Sequence, residues 1–434
     1  MMNYNIQTNK KLPLVFIPGI FGSLGDDIIP GTGEFSFGPA SYIYDPFIKS
    51  LEGMGYKKEV DLFVVHYDWR KGNYYSGTNY LIPELNRIKQ IYKTNKVNIV
   101  CHSMGGLVAR AYIQSDLYNY DINKLIMIGT PNAGTVKAYY FWEGGELPYD
   151  KVNGNVFFKV LWEGFVWIFK KVYKEKQDIN FLKKFFPVAK ELLPSREYGE
   201  YLFYKDDKDF IQFISHDRIQ EKNSFLNHLN SSVDKLYSRI GDIHIIVGKG
   251  IETSRFICVN KVDSDKELWI DGKPGYVITS PRGDGTVISS SVASIFGRKL
   301  FINGDHGDIL LKSVDKIKDI LNIKTISRRQ QSFKNKVLYS IIARDVKNIE
   351  IHKINKKISI NNKWEDNYKG LTVIKVGENS YWLIIDYNYF NKSTIRFDSI
   401  KTMYSEIIIL KGEKNKGVKK VSEVNTKDYY ELSL

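Results

Sequence analysis

Short apolar runs alternate with amphipathic segments along the first part of the chain. Four runs rich in Val, Ile, Leu and Phe predict buried strands, and they lie at residues 12–17, 60–67, 97–102 and 125–128. Between them, apolar residues recur every three or four positions, which predicts helices at residues 41–54, 80–93 and 107–113. This alternation predicts a doubly wound, mostly parallel sheet with helices on both faces.

The alternation stops after residue 134 and resumes about a hundred residues later. The pattern then predicts strands at residues 243–247 and 300–302, with a hairpin between them at residues 255–279. A closing helix is predicted at residues 308–323. We therefore expect a core made of residues 1–134 and 241–323, interrupted by a helical lid or cap insertion at residues 135–240.

Beyond residue 325 the pattern changes to short extended runs separated by Asn, Gly and Lys. These runs lie at residues 337–339, 349–351, 371–374, 381–385 and 406–410. Several short strands at such spacing predict a small all-β, sandwich-like domain at residues 325–434.

The composition is that of a folded globular protein. Of the 434 residues 43% are hydrophobic, and two cysteines, Cys101 and Cys258, are too few for a disulfide framework. Because no Cys/His spacing of the zinc type occurs, we expect neither a metal nor another cofactor. The amino-terminal residues lack a secretory signal, and no apolar run reaches the roughly 18 residues that span a bilayer. We therefore expect a cytoplasmic protein.

The net charge is +14, which favours contact with anionic surfaces. Lysine is abundant along the whole chain, so the charge also fits a compositional bias spread over solvated faces. We expect no nucleic-acid partner, and we expect any anionic partner to be a membrane surface contacted peripherally.

Ser103 follows the apolar run at residues 97–102 and precedes a helix-compatible segment that begins with Gly105. A serine in such a position matches the nucleophile elbow, a strained turn that raises the hydroxyl above the carboxyl edge of the sheet. The usual Gly-x-Ser-x-Gly pattern needs glycine at position 101, where this chain has Cys101. Ser103 is therefore a candidate nucleophile, and a serine in an ordinary strand-to-helix turn is the alternative.

The partners of such a serine follow it in the order acid, then histidine, each after a later strand. Of the seven histidines, His306 directly follows the last predicted core strand, whereas His352 lies in the predicted β domain. Asp284, between two glycines, is the candidate acid that would orient the histidine. Asp242 and Asp305 are the alternatives for the acid.

Attack on an acyl carbonyl also needs two backbone N–H groups that face the developing oxyanion. Met104, the residue after the serine, is placed to give the first. Ile20 follows the first predicted strand and its Pro-Gly turn, so it is placed to give the second, with Phe21 as the alternative. These groups together indicate acyl chemistry at a serine.

With these residues in place, the chain resembles the lecithin:cholesterol acyltransferase family of α/β hydrolases. The likeness lies in residues 17–23, 67–70, 102–106 and 283–287 and in His306, and its most specific parts read Tyr-Asp-Trp-Arg and Gly-Asp-Gly-Thr-Val. The resemblance implies an α/β-hydrolase fold with Ser103, Asp284 and His306 as the catalytic triad. It also implies acyl-ester chemistry on lipids without a metal.

We interpret Asp68 and Arg70, within Tyr-Asp-Trp-Arg, as a structural polar pair at the end of a strand. The disulfide-bound lid of the secreted members of the family has no counterpart here, which puts sterol acylation in doubt.

We therefore interpret the chain as an ester hydrolase or acyltransferase that acts on phospholipid or acylglycerol esters through an acyl-enzyme on Ser103. Phe21 and the insertion residues Trp162, Phe165 and Trp167 are predicted to contact the substrate or a lipid surface. The alternative for the insertion residues is that they pack on the core as part of a cap.

Two rival hypotheses follow from the same residues. The first is a catalytically silent protein that binds a membrane or a partner through the basic, aromatic insertion and the β domain. The second makes Cys101 the nucleophile in place of Ser103.

Overall fold

A parallel sheet forms the core of the protein in a computed structural model that describes residues 11–23, 35–37, 40–145, 179–260, 268–324, 337–353, 356–361, 368–400, 403–413 and 417–434. The first ten strands of these residues are β1 (Leu14–Ile17), β2 (Leu62–Val64), β3 (Val97–His102), β4 (Ile122–Ile128), β5 (Leu202–Lys205), β6 (Ile211–Phe213), β7 (Ile243–Lys249), β8 (Thr253–Asn260), β9 (Lys273–Ser280) and β10 (Arg298–Asn303). Six of them form the central sheet in the order β10-β7-β4-β3-β1-β2, and all its neighbouring strands are parallel. The predicted parallel sheet is confirmed.

Helices accompany this sheet. Those among the described residues are α1 (Ser41–Gly53), α2 (Asn73–Ser76), α3 (Ile82–Tyr92), α4 (Gly105–Gln114), α5 (Lys137–Gly144), α6 (Ile179–Phe185), α7 (Ser224–Ser231), α8 (Val233–Arg239), α9 (Ser289–Val292), α10 (Asp308–Lys312) and α11 (Val314–Ile320). All residues of β1 and β3 are buried, as expected for strands that are covered on both faces. None of the described helices is long and apolar enough to cross a membrane.

The predicted insertion contains strands as well as helices. β5 and β6 form an antiparallel pair, and β5 continues in parallel beside β8 of the predicted hairpin. The result is a second sheet in the order β6-β5-β8-β9. Trp162, Phe165 and Trp167 lie outside the described residues, as does the whole segment 156–169. The residue boundaries expected for the core, insertion and β domain stay predictions.

The described residues of the carboxyl-terminal part are all-β apart from the short helix α12 (Tyr387–Phe390), which confirms the predicted class. Its strands are β11 (Val337–Arg344), β12 (Val346–Lys353), β13 (Lys356–Ile360), β14 (Leu371–Gly377), β15 (Ser380–Asp386), β16 (Thr394–Ser399), β17 (Ser405–Glu413), β18 (Gly417–Thr426) and β19 (Tyr429–Ser433). They form two antiparallel sheets, ordered β14-β15-β11-β17-β18 and β13-β12-β16-β19.

Strand β11 of the five-stranded sheet is buried on both faces. Along β11, Tyr339 and Ile341 belong to a hydrophobic cluster shared with the four-stranded sheet. The alternate residues Leu338 and Ile342 belong to the large cluster that contains the core of the parallel sheet. Successive side chains of a strand point to opposite faces, so this sheet packs against both parts of the protein.

Glu143 on α5 is a buried acid at the junction between the insertion and the β8–β9 hairpin. Its side chain is 1% exposed, and its Oε2 accepts a hydrogen bond from the Asp271 N–H at 3.3 Å. Its Oε1 has no hydrogen-bond partner among the described residues. Burial, with a smaller contribution from the charge of Asp271, raises the pKa of Glu143 to about 7.

Replacing Glu143 by glutamine is expected to stabilise the protein at neutral pH. An unfolded Glu ionises near pH 4.3, so between that pH and about 7 the folded state binds more protons and stability falls as the pH rises. Glu143→Gln removes this loss, which is up to about 3 kcal/mol. Urea unfolding of both proteins at pH 4.5 and pH 8 measures the difference in their free energies of unfolding. If that difference is the same at both pH values, the prediction is contradicted.

Candidate functional site

Ser103 lies in the sharp turn between β3 and α4. Its φ of 53° places it in the left-handed region, which residues other than glycine seldom occupy. Its N–H donates to the Ile128 carbonyl at 2.8 Å, which holds the turn against the end of β4. A Cβ at Gly105 would lie 2.4 Å from the Ile17 carbonyl oxygen, so this close approach to β1 requires glycine. The geometry is that of a nucleophile elbow.

Cys101 occupies the position where the usual elbow has glycine. Its side chain is fully buried, and its Sγ donates to the Ile126 carbonyl on β4 at 3.4 Å. Burial raises the pKa of its thiol far above the ordinary value. A buried, protonated thiol is a poor nucleophile, so the position of Cys101 is that of a core residue.

His306 and Asp284 form a buried hydrogen-bonded pair. The His306 Nδ1 and the Asp284 Oδ2 are 2.7 Å apart, and both residues are almost fully buried. Gly129, which follows β4, borders both of them: a Cβ there would lie 3.2 Å from His306 Cε1 and 3.3 Å from Asp284 Oδ2. Since the residue before it, Ile128, accepts the Ser103 N–H, the structure brings Ser103, Asp284 and His306 to one edge of the sheet.

The Asp284 carboxylate is fixed from both sides. While Oδ2 faces His306, Oδ1 accepts the N–H groups of Thr286 and Val287 at 2.9 and 2.7 Å. Burial by itself raises the pKa of Asp284, but the charge of His306 and these hydrogen bonds outweigh burial and lower the pKa below its ordinary value. Asp284 is therefore ionised at neutral pH and holds the proton of His306 on Nδ1.

The alternative acids and the other candidate histidine point elsewhere. Asp242 precedes β7, at the opposite end of that strand, and its carboxylate pairs with His244 at 2.7 Å. Asp305 accepts the two N–H groups around the start of α10, at 3.0 and 2.8 Å. His352 lies on β12, where its Nε2 is 3.1 Å from a carboxylate oxygen of the same strand. None of these three residues shares the hydrogen bonds of the His306–Asp284 pair described above.

Ile20 and Met104, the two predicted oxyanion donors, lie at the elbow. Ile20 lies in the loop after β1, and a Cβ at the preceding Gly19 would lie 2.8 Å from Ser103 Cβ. In the described part of the chain, the N–H groups of Ile20 and Met104 donate no hydrogen bond. Two free N–H groups flanking a serine are the arrangement that stabilises an oxyanion.

The loop that carries Ile20 is anchored on both sides. The Tyr67 hydroxyl donates to the Pro18 carbonyl at 2.8 Å. Phe21, which the sequence predicts to contact the substrate, has a φ of 60°. Its buried ring packs edge-on against Trp69, with ring centroids 4.5 Å apart. The ring of Phe21 therefore supports the loop from within the fold.

The polar pair predicted within Tyr-Asp-Trp-Arg is present. The Arg70 Nε and one terminal nitrogen donate to the two carboxylate oxygens of Asp68 at 2.7 and 2.8 Å. Both residues are buried, so this bidentate pair braces the chain just after β2.

Sequence reasoning missed two buried polar residues that border the elbow, His102 and Tyr44. The Tyr44 hydroxyl lies 3.0 Å from His102 Nδ1, and His102 Nε2 lies 2.9 Å from the His306 carbonyl oxygen. The position of His102 directly before the serine was the one available signal. Tyr44 lies on the apolar side of α1, where an aromatic residue predicts core packing. In the described residues, no group of three or more His, Cys, Asp or Glu is arranged to hold a metal ion.

Residues 33–149 match the family model of lecithin:cholesterol acyltransferase. Phospholipase A(1) LCAT3 of Arabidopsis thaliana is 36% identical over 99 residues, which cover 21% of this chain and 22% of that protein. The matched segment is lecithin:cholesterol acyltransferase-like. A second relative, lecithin-cholesterol acyltransferase-like 4 of Arabidopsis thaliana, is 29% identical over 98 residues, which cover 21% of this chain and 18% of that protein.

The lecithin:cholesterol acyltransferase-like segment contains Ser103, whereas Asp284 and His306 lie outside it. The chain spans about a fifth of the length of the curated relatives it matches. Among solved structures, the mature lipase BlEst2 of Bacillus licheniformis is similar, with 16% identity, a TM-score of 0.38, and coverage of 72% of this chain and 92% of that chain. The α/β-hydrolase fold of the core itself is established by the strand order and the elbow.

Proposed function

We propose that the protein is a serine ester hydrolase or acyltransferase that acts on lipid acyl esters through an acyl-enzyme on Ser103. The observation that carries this proposal is the buried His306–Asp284 pair at the same sheet edge as the left-handed Ser103 turn. The likeness to the lecithin:cholesterol acyltransferase family, and to a relative named as a phospholipase, supports lipid esters as the substrate class.

Each of these residues has a defined role in the proposed reaction. Ser103 Oγ attacks the acyl carbon and passes its proton to His306 Nε2, while Asp284 stabilises the resulting imidazolium. The carbonyl oxygen becomes an oxyanion between the N–H groups of Ile20 and Met104. His306 then protonates the leaving alcohol, and the same steps in reverse pass the acyl group to water or to a second alcohol.

Product analysis tests this function. The protein is incubated with phospholipid vesicles, with and without an added long-chain alcohol, and the acyl products are identified. Free fatty acid alone indicates a hydrolase, and an ester of the added alcohol indicates an acyltransferase. Folded protein that forms neither product would contradict the proposal and favour a non-catalytic binding protein.

We further propose that the enzyme meets its substrate at a lipid surface through the outward face of the β6-β5-β8-β9 sheet. The inward residues Leu202 and Ile257 belong to the main hydrophobic cluster. The opposite face carries contacting aromatic rings: Phe203 with Phe213 at 5.7 Å, Phe203 with Tyr276 at 5.8 Å, and Phe213 with Phe256 at 5.2 Å. Phe203 is itself buried beneath its neighbours, whereas Phe213 and Tyr276 are exposed. This sheet adjoins the acid loop, because the Thr253 hydroxyl on β8 accepts the Gly285 N–H at 2.8 Å.

Replacing Phe213 and Tyr276 together by serine is expected to lower activity on vesicles selectively. The two side chains are 41% and 46% exposed, so the surface they remove is available to insert into lipid. Turnover of anionic phospholipid vesicles should fall about 10-fold, and turnover of a soluble short-chain ester should change less than about twofold. The matched control is Tyr120→Ser, an exposed aromatic residue that precedes β4. Equal losses on both substrates would contradict a docking role.

A further inference from the structure

A chain of buried hydrogen bonds connects the loop after β1 with the loop that carries His306. The Gly19 N–H donates to the Tyr44 hydroxyl at 2.9 Å, and that hydroxyl lies 3.0 Å from His102 Nδ1. His102 Nε2 lies 2.9 Å from the His306 carbonyl oxygen. Both Tyr44 and His102 are 1% exposed, so water does not compete for these bonds. The chain therefore joins four separate elements, which are the loop after β1, α1, the end of β3 and the loop after β10.

The chemistry of these groups gives each bond one direction. A carbonyl oxygen accepts and cannot donate, so His102 Nε2 carries a proton and donates a hydrogen bond to the His306 carbonyl oxygen. In neutral His102 the Nδ1 is then an acceptor, and the Tyr44 hydroxyl must donate to it. The Tyr44 oxygen keeps a lone pair for the Gly19 N–H. Since every donor has its acceptor, the chain has one self-consistent arrangement.

Burial keeps both linking residues in the protonation states that this arrangement needs. It lowers the pKa of His102 to about 3, so His102 stays neutral at the pH where esterases work. It raises the pKa of the Tyr44 phenol above its ordinary value, so the hydroxyl keeps its proton. Neither linking residue therefore changes its protonation state near neutral pH, and the bonds keep their direction.

Aromatic packing also holds the two rings in place. Tyr44 stacks on Phe37 with ring centroids 5.0 Å apart and lies 5.5 Å from the ring of Phe16 on β1. The His102 and His306 rings have centroids 4.7 Å apart. The rings that link the two loops therefore have little freedom to move or to rotate.

The chain also determines which amide of the first loop is free. Tyr44 takes the Gly19 N–H, and the next N–H in the sequence, that of Ile20, donates no hydrogen bond in the described part of the chain. The same contact that holds the loop thus leaves Ile20 to serve the oxyanion.

We propose that Tyr44 and His102 are positioning residues that fix the distance between the oxyanion loop and the catalytic base His306. The inference rests on the proposed function, because it assigns the two residues to the reaction at Ser103. They touch neither the substrate nor the reacting atoms, and they act through the Gly19 amide and the His306 carbonyl.

Tyr44→Phe is the principal test, because it removes one oxygen atom and keeps the ring. On a soluble short-chain ester, kcat should fall about 10- to 100-fold with KM nearly unchanged, as expected when catalytic groups shift by a fraction of an ångström to 1 Å. The matched control is Tyr112→Phe. The Tyr112 hydroxyl is buried in the same way: it accepts the Asn119 N–H at 3.2 Å and donates to the Asp121 carboxylate at 2.9 Å. The kcat of Tyr112→Phe should stay within about twofold of that of the wild type.

A second variant, His102→Gln, separates positioning from simple loss of stability. The kcat of the double variant Tyr44→Phe/His102→Gln should be less than about 3-fold below that of the slower single variant, because both changes break the same chain of hydrogen bonds. Urea unfolding of each variant shows whether kcat follows stability. The proposal is contradicted if Tyr44→Phe and His102→Gln both keep kcat within about twofold of wild type, or if Tyr112→Phe of equal stability loses as much. A wild-type protein that turns over no ester would instead overturn the proposed function, and this inference with it.

Discussion

Replacing Ser103 by alanine is expected to abolish ester turnover and to prevent labelling by a fluorophosphonate. The left-handed turn places Ser103 at the edge where His306 and Asp284 meet, so removal of its oxygen removes the proposed acceptor of the acyl group. We expect kcat to fall by about 10⁴-fold or more, as in serine hydrolases whose nucleophile is deleted. Fold and stability should change little, which urea unfolding of the variant checks.

The matched control for this variant is Cys101→Ala, two residues away on β3. The Cys101 thiol is buried and donates to a carbonyl of the neighbouring strand, so its loss should leave labelling intact and kcat within several-fold of the wild type. The opposite result, in which Ser103→Ala still labels and Cys101→Ala does not, would make Cys101 the nucleophile.

Asp284→Asn is expected to lower kcat by about 10³- to 10⁴-fold with little change in KM. The Asp284 carboxylate accepts a hydrogen bond from His306 Nδ1, and this leaves Nε2 free for its proposed role of taking the proton of Ser103. An asparagine amide that donates to Nδ1 would favour the other tautomer, in which Nε2 already carries a proton. Steady-state kinetics on a soluble ester measure the loss. Asp242→Asn, which alters a carboxylate paired with His244 instead, should retain kcat, and comparable losses in both variants would contradict the assignment of Asp284.

The same substitution should change the response of stability to acid. The pKa of Asp284 is lowered in the folded state, so near the ordinary carboxyl pKa the unfolded state binds more protons and stability rises with pH. The stabilisation is present at neutral pH and is lost as the pH falls through the folded pKa. Asparagine cannot ionise, so the difference in stability between wild type and Asp284→Asn should be larger at pH 7 than at pH 3.

The sequence was sufficient to predict the elements that local patterns specify. The apolar runs predicted β1, β3, β4 and β7, because a strand buried on both faces needs apolar residues at nearly every position. The chain order of a serine, an acid and a histidine, together with the two glycines that flank Asp284, selected Asp284 and His306. The hydrogen bond between them was an inference from this order, and the structure shows it at 2.7 Å.

The remaining features depend on contacts between distant residues. Tyr44 contacts His102 across 58 positions, and His102 contacts His306 across 204, so no local pattern points to either bond. Similarly, β5 and β6 are four and three residues long, too short for an alternation to be recognised, and their pairing with β8 depends on packing. The predicted closing helix at residues 308–323 is divided at Ser313, whose hydroxyl donates to the Leu310 carbonyl in competition with the helix.

The five-stranded sheet near the carboxyl terminus has a consequence for how this chain can evolve. One face of β11 belongs to the sandwich, and the other face shares the cluster of the α/β core. Substitutions at Leu338 or Ile342 are therefore constrained by the core, while those at Tyr339 or Ile341 are constrained by the four-stranded sheet. If recombination replaced this β unit by another, the new unit would have to fit the surface of the α/β core that now packs against Leu338 and Ile342. The β unit is therefore poorly suited to exchange as an independent module.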